Sequence, residues 1–298
     1  MWAVAKRIFL FTLVNILIIT SISLVFGIVT TALGIQLTPN ATMFAFYAAI
    51  GFGGAFVSLL LSKKMAKWTM GVQIISPDTR SSAERELLES VYRLARFANL
   101  KKMPEVGIYQ SPEINAFATG PSKNNSLVAV SSGLLNRMSK EEVEGVLAHE
   151  IAHVANGDMV TMTLIQGVIN TMVLILARVI SSLVTSQANE RSRPWLQYLV
   201  FQALQIALSI LGSLVVCYFS RHREFRADAG GAKIAGREKM VAALKALQRN
   251  FGPAEIQDAE QHASIAALKI SGRSTSALAM MFATHPPLED RIQALQKA

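Results

Sequence analysis

The sequence predicts a mainly α-helical membrane protein with four candidate transmembrane helices and an α+β domain that carries a small sheet with an open edge strand. Three observations lead to this fold class. Hydrophobic residues make up 51% of the 298 residues, charged residues make up 16%, and the mean hydropathy is +0.36. Several long apolar runs contain no charge, and the segments between and after them have the periodicity of helices and strands. An ordinary soluble protein carries more charge than this.

The apolar runs define the four candidate spans. Residues 8–62 contain no charged residue and are long enough for two crossings of ~20 residues each, divided by a polar hinge around Pro39. The third run extends from Met159 to Ala177, and the fourth extends from Pro194 to Ser220 with aromatic residues near its ends. The first run is longer than the core of a signal peptide, so we predict an uncleaved anchor.

The basic residues beside these runs predict the orientation and the domain organisation. Lysines and arginines cluster before the first run, after the second and after the fourth, so these flanks are predicted to face the cytoplasm. The predicted segments are a transmembrane hairpin at 1–62, a cytoplasmic segment at 63–158, a second transmembrane or re-entrant hairpin at 159–220, and a cytoplasmic segment at 221–298. The net charge of +9 is attributed to contacts with the lipid bilayer, and nucleic acid is excluded as a partner because no basic stripe with interleaved aromatic residues occurs.

The first cytoplasmic segment is predicted to contain a helix followed by three strands. Residues 80–105 have apolar side chains at helical spacing. The β-prone runs at 106–110, 115–120 and 126–131 are separated by turn-forming residues and are predicted to be short strands.

A second helix is predicted to start near Lys140. The sequence Ser139-Lys-Glu-Glu142 forms a capping box, in which the Ser139 hydroxyl and the Glu142 carboxylate satisfy free backbone donors at the helix start. Asn156-Gly157 is the predicted stop.

This second helix carries the chemistry. His149 and His153 are four residues apart, so both imidazoles project from one face within reach of one metal ion. Glu150 lies one position round the helix, where it is suited to accept a proton from an attacking water. Two imidazoles and a carboxylate with an open fourth position favour zinc as the metal. A chance match to this HExxH pattern is the alternative.

The third metal ligand is expected from another helix. Glu224 and Asp228 are spaced four residues apart directly after the fourth apolar run. We predict that Glu224 is the ligand and that Asp228 accepts a hydrogen bond from the other ring nitrogen of a ligand histidine. The alternative is that Glu224 pairs with neighbouring arginines on a solvated helix face.

Four motifs together carry a family resemblance. The segments HEIAHVANGD, SRHREFRADAGG, INAFATG and THPPLEDRI, in their positions relative to the apolar runs, resemble the HtpX family of bacterial membrane-bound zinc metalloproteases, which is related to the CAAX prenyl endopeptidases. The resemblance covers essentially the whole chain. It implies a gluzincin-type protease domain on the cytoplasmic side of the bacterial inner membrane, with one zinc ion per chain. It also implies stress quality control, in which membrane proteins and unfolded polypeptides are the substrates.

The resemblance also implies roles for individual residues. His149, His153 and Glu224 would bind zinc, and Glu150 would be the general base. Two further residues, Asn115 of the NAF segment and His285 of the HP segment, would lie at the cleft. Asn115 could bind substrate backbone beside an open edge strand, and His285 could donate to the developing oxyanion. The alternatives are a turn residue for Asn115 and an N-terminal helix residue for His285.

Two other functions stay open on the sequence. The first is a non-catalytic zinc-binding membrane scaffold or chaperone, and the second is a transporter that uses intramembrane metal. Glu150 argues against the first, because a structural zinc site is normally closed by four protein ligands. The transporter is disfavoured because the predicted ligands lie outside the apolar runs.

Overall fold

The structure, a computed structural model, describes residues 39–250 and 281–297, together with the single positions 20, 24, 27, 28, 31 and 32. The chain divides into two compact units. One unit comprises Met1–Ser58 and Thr163–Ser213, and the other comprises Leu59–Met162 and Leu214–Ala298. The first predicted membrane span falls almost wholly outside the described residues.

The described elements are, in chain order, α1 (Pro39–Met70), β1 (Gln73–Ile74), α2 (Ser82–Phe97), β2 (Glu105–Tyr109), β3 (Ala116–Ser122), β4 (Asn125–Ser131), α3 (Ser132–Arg137), α4 (Lys140–Asn156), α5 (Asp158–Val184), α6 (Arg193–Ala235), α7 (Arg237–Asn250) and α8 (Leu288–Lys297).

Within the described residues, the helices α1, α5 and α6 are long and apolar enough to cross a membrane. They correspond to the second, third and fourth predicted spans. Helix α1 begins at Pro39. Proline has no backbone N–H, but the N–H groups of the first helical turn have no partner within the helix, so no helical hydrogen bond is lost. Helix α6 runs without interruption for 43 residues, so the apolar segment and the segment with Glu224 are one helix.

The prediction of a helix over residues 80–105 is wrong in its C-terminal part. Helix α2 ends at Phe97, and Asn99 has a positive φ of 56°, a left-handed conformation that stops a helix. Leu100 then packs into the core, and strand β2 begins at Glu105. The buried face of α2 is the predicted apolar one.

Four strands form one mixed sheet in the order β1-β2-β4-β3. Strand β2 is parallel to β4, and β3 is antiparallel to β4. The three predicted strands are confirmed within one or two residues, whereas the two-residue strand β1 and the short helix α3 were not predicted. Strand β3, which contains the NAFATG segment except Asn115, is an edge strand of this sheet, as the open-edge prediction requires.

Helix α4 has the predicted ends. Both hydrogen bonds of the capping box between Ser139 and Glu142 are present, and Gly157 ends the helix in the left-handed conformation at φ 75°. Helix α5 starts at the next residue, so a left-handed glycine separates the histidine helix from the apolar helix. The apolar face of α4 packs in the main core with α2, β2, β4 and α7, which fixes its orientation.

Candidate metal centre and cleft

Helix α4 brings two histidines together. The Nε2 atoms of His149 and His153 lie 3.1 Å apart, and both side chains are almost fully buried. The spacing of four residues stacks the rings on one helix face. With both Nε2 atoms directed at the same point, the pair is suited to share one cation.

Glu224 completes the cluster from helix α6. Its side chain is fully buried, with Oε2 3.3 Å from Nε2 of His149 and Oε1 3.3 Å from Nε2 of His153. Nη2 of Arg223 does lie 3.4 Å from Oε1, but the carboxylate is buried, so Glu224 is not on a solvated face as the alternative requires. Nitrogen and oxygen atoms from these three residues all lie within 4.8 Å of one another, as a metal-binding set requires.

Two glycines let α6 approach α4 closely enough to make this contact. A Cβ atom on Gly231 would lie 3.1 Å from the backbone nitrogen of His149, and one on Gly230 would lie 2.9 Å from Cβ of Ala152. Both glycines follow Asp228 on the same helix. The close packing of α6 on the histidine helix therefore requires the two glycines of the DAGG sequence.

The distances fit a tetrahedral metal ion. Zinc bonds to nitrogen and oxygen are about 2.0–2.1 Å long, which places neighbouring ligand atoms of a tetrahedron about 3.3 Å apart. Here the two Nε2 atoms lie 3.1 Å apart, Nε2 of His149 lies 3.3 Å from Oε2 of Glu224, and Nε2 of His153 lies 3.3 Å from Oε1. Among the described residues, the buried Oε2 of Glu224 has no well-aligned hydrogen-bond donor, although Nδ1 of His285 lies 2.9 Å from it. A cation would satisfy this oxygen.

A carboxylate holds the far side of each histidine ring. Nδ1 of His149 lies 2.9 Å from Oδ1 of Asp228, and Nδ1 of His153 lies 2.7 Å from Oδ2 of Asp158. When Nδ1–H is donated to a carboxylate, the lone pair stays on Nε2. Both rings are thus fixed in the tautomer that binds metal through Nε2.

An arginine lies behind each of these carboxylates. Arg291 of α8 is buried and donates through Nε and Nη2 to the two oxygens of Asp228, at 2.8 and 2.7 Å. Arg226 of α6 donates to Oδ1 of Asp158 at 2.6 Å, but its side chain is 60% exposed. The two histidines therefore have matching His–Asp–Arg chains, of which one is buried and the other reaches solvent.

The electrostatics of the cluster attract positive charge. Burial disfavours the charged ring of His149, yet hydrogen bonds to Asp228 and Glu224 raise its pKa to about 9. Burial also acts against the charged form of His153, while Asp158 and Glu224 raise its pKa above the ordinary value. A metal cation would replace this positive charge, since metal binding displaces ring protons.

The cluster opens into a cavity of about 240 Å³. His149 and Glu224 line it, together with the half-buried Glu150 and the exposed residues Asn115 and His285. His285 lies before helix α8, which begins at Leu288, so it is not part of the helix. Asn115 lies at the entrance to edge strand β3, where its carbonyl accepts from the backbone nitrogen of Ser131 at 2.9 Å.

All seven residues singled out from the sequence therefore lie at or directly behind this cavity. Asp158 and Arg291 were not predicted from the sequence. Asp158 comes after the predicted stop at Gly157, so helical spacing from His153 does not indicate that the two side chains meet. Arg291 lies within the segment THPPLEDRI. It occupies an apolar position of a short amphipathic helix, and this spacing could have indicated a buried arginine.

Three comparisons place this geometry among known proteins. Residues 81–298 match the profile described as Peptidase family M48. A Bacillus licheniformis protein named "Protease HtpX homolog" is 51% identical over 98% of this chain and 99% of its own length. A Shewanella loihica protein named "Protease HtpX" is 50% identical with the same coverage.

The fold is also similar to a solved structure. The crystal structure of S. mikatae Ste24p superimposes with a TM-score of 0.63 at 17% identity, covering 98% of this chain. The similarity spans 65% of the Ste24p chain. At this identity the likeness concerns the fold.

Proposed function

The chain belongs to peptidase family M48 and, by its similarity to HtpX proteases over nearly its full length, is a membrane-anchored metalloprotease, and we propose that its metal is one zinc ion per chain. His149, His153 and Glu224 hold the ion in this proposal. The observation that carries it is the convergence of the ligand atoms: the two Nε2 atoms lie 3.1 Å apart, and each lies 3.3 Å from one of the two carboxylate oxygens of Glu224. Two imidazoles and one carboxylate leave one position open, which is the donor set of catalytic zinc sites.

Glu150 is the proposed general base. When bound, zinc polarises the scissile carbonyl and lowers the pKa of water to about 7. The carboxylate of Glu150 accepts a proton from the attacking water and passes it to the leaving amine. Its half-buried position in the cavity wall, next to His149 in sequence, supports this role.

Edge strand β3 is the proposed binding site for the substrate backbone. The carbonyl of Asn115 points towards β4, and orientation alternates along an antiparallel strand, so the backbone groups of Ala116 and Ala118 point to the open edge. An extended peptide can pair with these groups. The exposed Asn115 side chain is placed to bind a further backbone group of the peptide.

His285 is the proposed donor to the developing oxyanion. Its ring is 48% exposed and lines the same cavity, and its Nδ1 lies 2.9 Å from Glu224. A donor at this place would stabilise negative charge that forms only in the transition state. Asp228 and Asp158 orient the two ligand histidines.

The proposed substrates are cytoplasmic regions of misfolded or damaged membrane proteins and other unfolded polypeptides, in the bacterial inner membrane. The basic flanks of the apolar runs favour a cytoplasmic site. Asp158 begins the apolar helix α5, and Glu224 belongs to the apolar helix α6. Since two helices long enough to span a bilayer supply residues of the site, an anchored enzyme would meet membrane-tethered chains. The stress quality-control role follows the resemblance to HtpX proteases.

A reconstituted proteolysis assay tests the proposal. The zinc-loaded protein in liposomes is given a membrane protein with an unstructured cytoplasmic loop, and the fragments are quantified. Wild type is expected to cut the loop, and Glu150→Gln is expected to keep zinc but lose ~10²–10⁴-fold in rate, because an amide cannot accept the proton. Glu141→Gln is the matched control on the exposed first turn of the same helix. Equal, measurable rates for Glu150→Gln and wild type would remove Glu150 as the general base, and no cleavage by the zinc-loaded wild type would favour the non-catalytic scaffold or chaperone.

A further inference from the structure

The cavity beside the metal cluster has a mixed lining. Polar groups, including His149, Glu150 and Glu224, form part of it. The remaining lining is mainly apolar and comes from β3, α3, α4, α7, α8 and the loops before β3 and α8. Six of these apolar residues are Ile114, Leu134, Val146, Met240, Leu244 and Leu247.

The packing of the core fixes the position of the apolar lining residues. Leu134, Met240 and Leu244 are each 1% exposed, so they are held by the core behind them. Val146 lies on helix α4, one turn before His149 and Glu150, and therefore on the face that carries the metal cluster. The apolar lining and the residues of the metal cluster are therefore held by the same packed core.

The position of the cavity determines what can enter it. Asn115 and Ala116, at the start of edge strand β3, line the same space. A peptide paired to this strand and brought to the metal cluster has its side chains projecting alternately to the two sides. One side chain next to the scissile bond then projects into the apolar lining.

We propose that this cavity is a specificity pocket that selects substrates with a large apolar side chain, such as leucine or phenylalanine, at one of the two positions flanking the scissile bond. This inference rests on the proposed protease site. The occupant is a side chain of the cleaved polypeptide, since the same cavity is bounded by the ligands and by the edge strand. A membrane protein that has lost its fold exposes apolar segments of this kind.

The volume fits this class of side chain. A cavity of ~150 Å³ lined by apolar residues binds a benzene molecule. The present cavity of about 240 Å³ has room for a phenylalanine ring or a leucine side chain, with space for the peptide at its mouth. A charged side chain would lose its hydration against the apolar lining, so aspartate and lysine are rejected.

The expected selectivity follows from the buried methylene groups. Each added carbon transferred into an apolar pocket contributes about fourfold, so leucine, with three more carbons than alanine, is expected to exceed alanine by about 60-fold in kcat/KM at the selected position. The other flanking position does not project into this cavity. Its preference is expected to be within about fivefold for the same exchange.

The test uses the full-length, zinc-loaded protein in detergent micelles and two sets of peptides. Each set varies one position flanking a single cleavage site through alanine, leucine, phenylalanine, aspartate and lysine, and the products are quantified by mass spectrometry. Leu247→Phe and Leu247→Ala respectively narrow and widen the pocket at a partly buried position. Lys245→Phe is the control, because it adds the same ring on an exposed position of helix α7.

The results separate the pocket from the protease activity. Support consists of a leucine and phenylalanine preference at one position, with Leu247→Phe losing at least tenfold on the phenylalanine peptide while retaining the alanine peptide and the zinc. Leu247→Ala should shift the preference towards larger side chains, and Lys245→Phe should leave it unchanged. Cleavage with a flat preference at both positions overturns the pocket and leaves the protease standing. Failure of the zinc-loaded wild type to cut any peptide overturns the proposed protease site together with the pocket.

Discussion

Replacing Arg291 by methionine tests how the metal centre is held together. Methionine has a similar length but no charge or donor, so it removes both hydrogen bonds to Asp228, at 2.8 and 2.7 Å. Asp228 is 1% exposed and, of the side-chain contacts found in the described part of the chain, would keep the one with Nδ1 of His149. The carboxylate would then be left buried with a net negative charge and without its bidentate partner.

The burial of this ion pair determines how much folding stability and how much metal affinity the substitution is expected to lose. Breaking a buried ion pair by removing one partner costs about 3–5 kcal/mol of folding stability. Loss of the group that orients a ligand histidine typically weakens metal binding by about 10–100-fold. Arg226→Met is the matched control, because it removes the corresponding arginine behind Asp158 from a side chain that is 60% exposed. Solvent can replace that guanidinium, so the control is expected to lose about 0–1 kcal/mol.

The assay combines zinc competition with thermal unfolding of the metal-free proteins. Zinc affinity is measured against a chelator of known strength, and unfolding is measured in the same detergent. Arg291→Lys should recover part of both losses, since lysine restores the charge but not the bidentate geometry. Equal zinc affinity and stability for Arg291→Met and Arg226→Met would refute the reasoning that the buried chain controls the site.

Three further predictions concern the cleft, the packing and the topology. Asn115→Ala and His285→Ala should keep zinc and lose about 10²–10³-fold in peptide cleavage, the usual cost of one transition-state donor, and unchanged rates would make both residues structural. Gly231→Val should lose zinc and stability, because its Cβ would lie 3.1 Å from the backbone nitrogen of His149. Full zinc occupancy in this variant would show that α6 does not need a glycine here to approach α4. In a background without the native cysteine, a cysteine at the exposed Lys101 should react with an impermeant thiol reagent only from the cytoplasmic face, and one at the exposed Glu190 only from the opposite face. The reverse pattern would overturn the orientation.

Local features of the site could be predicted from the sequence. His149, Glu150 and His153 belong to one helix, and both ends of that helix are determined by neighbouring residues, namely the capping box and the left-handed Gly157. Helical geometry then fixes which side chains share a face. The strands were predictable for the same reason, because alternation and turn residues are local signals.

Contacts between distant segments could not be predicted in the same way. The contact of Arg291 with Asp228 joins positions far apart in the chain, and no periodicity indicates which charged groups a core will bury. The end of α2 was misjudged because no glycine or proline occurs between Phe97 and Met103 to mark the stop, whereas Asn99 turns the chain by adopting a left-handed conformation. The burial of Glu224 depends on the close packing of Gly231 on α4, which is a tertiary feature.

Zinc content measured by mass spectrometry is the most direct test of the central claim that His149, His153 and Glu224 form an open catalytic metal site. After dialysis against excess metal and then buffer, we expect close to one zinc per chain in the wild type and in Glu150→Gln. We expect loss of most of the zinc in His149→Ala and in Glu224→Ala, because each removes a ligand from a three-residue set. Full zinc occupancy in Glu224→Ala, or an absence of zinc in the wild type, would contradict the claim.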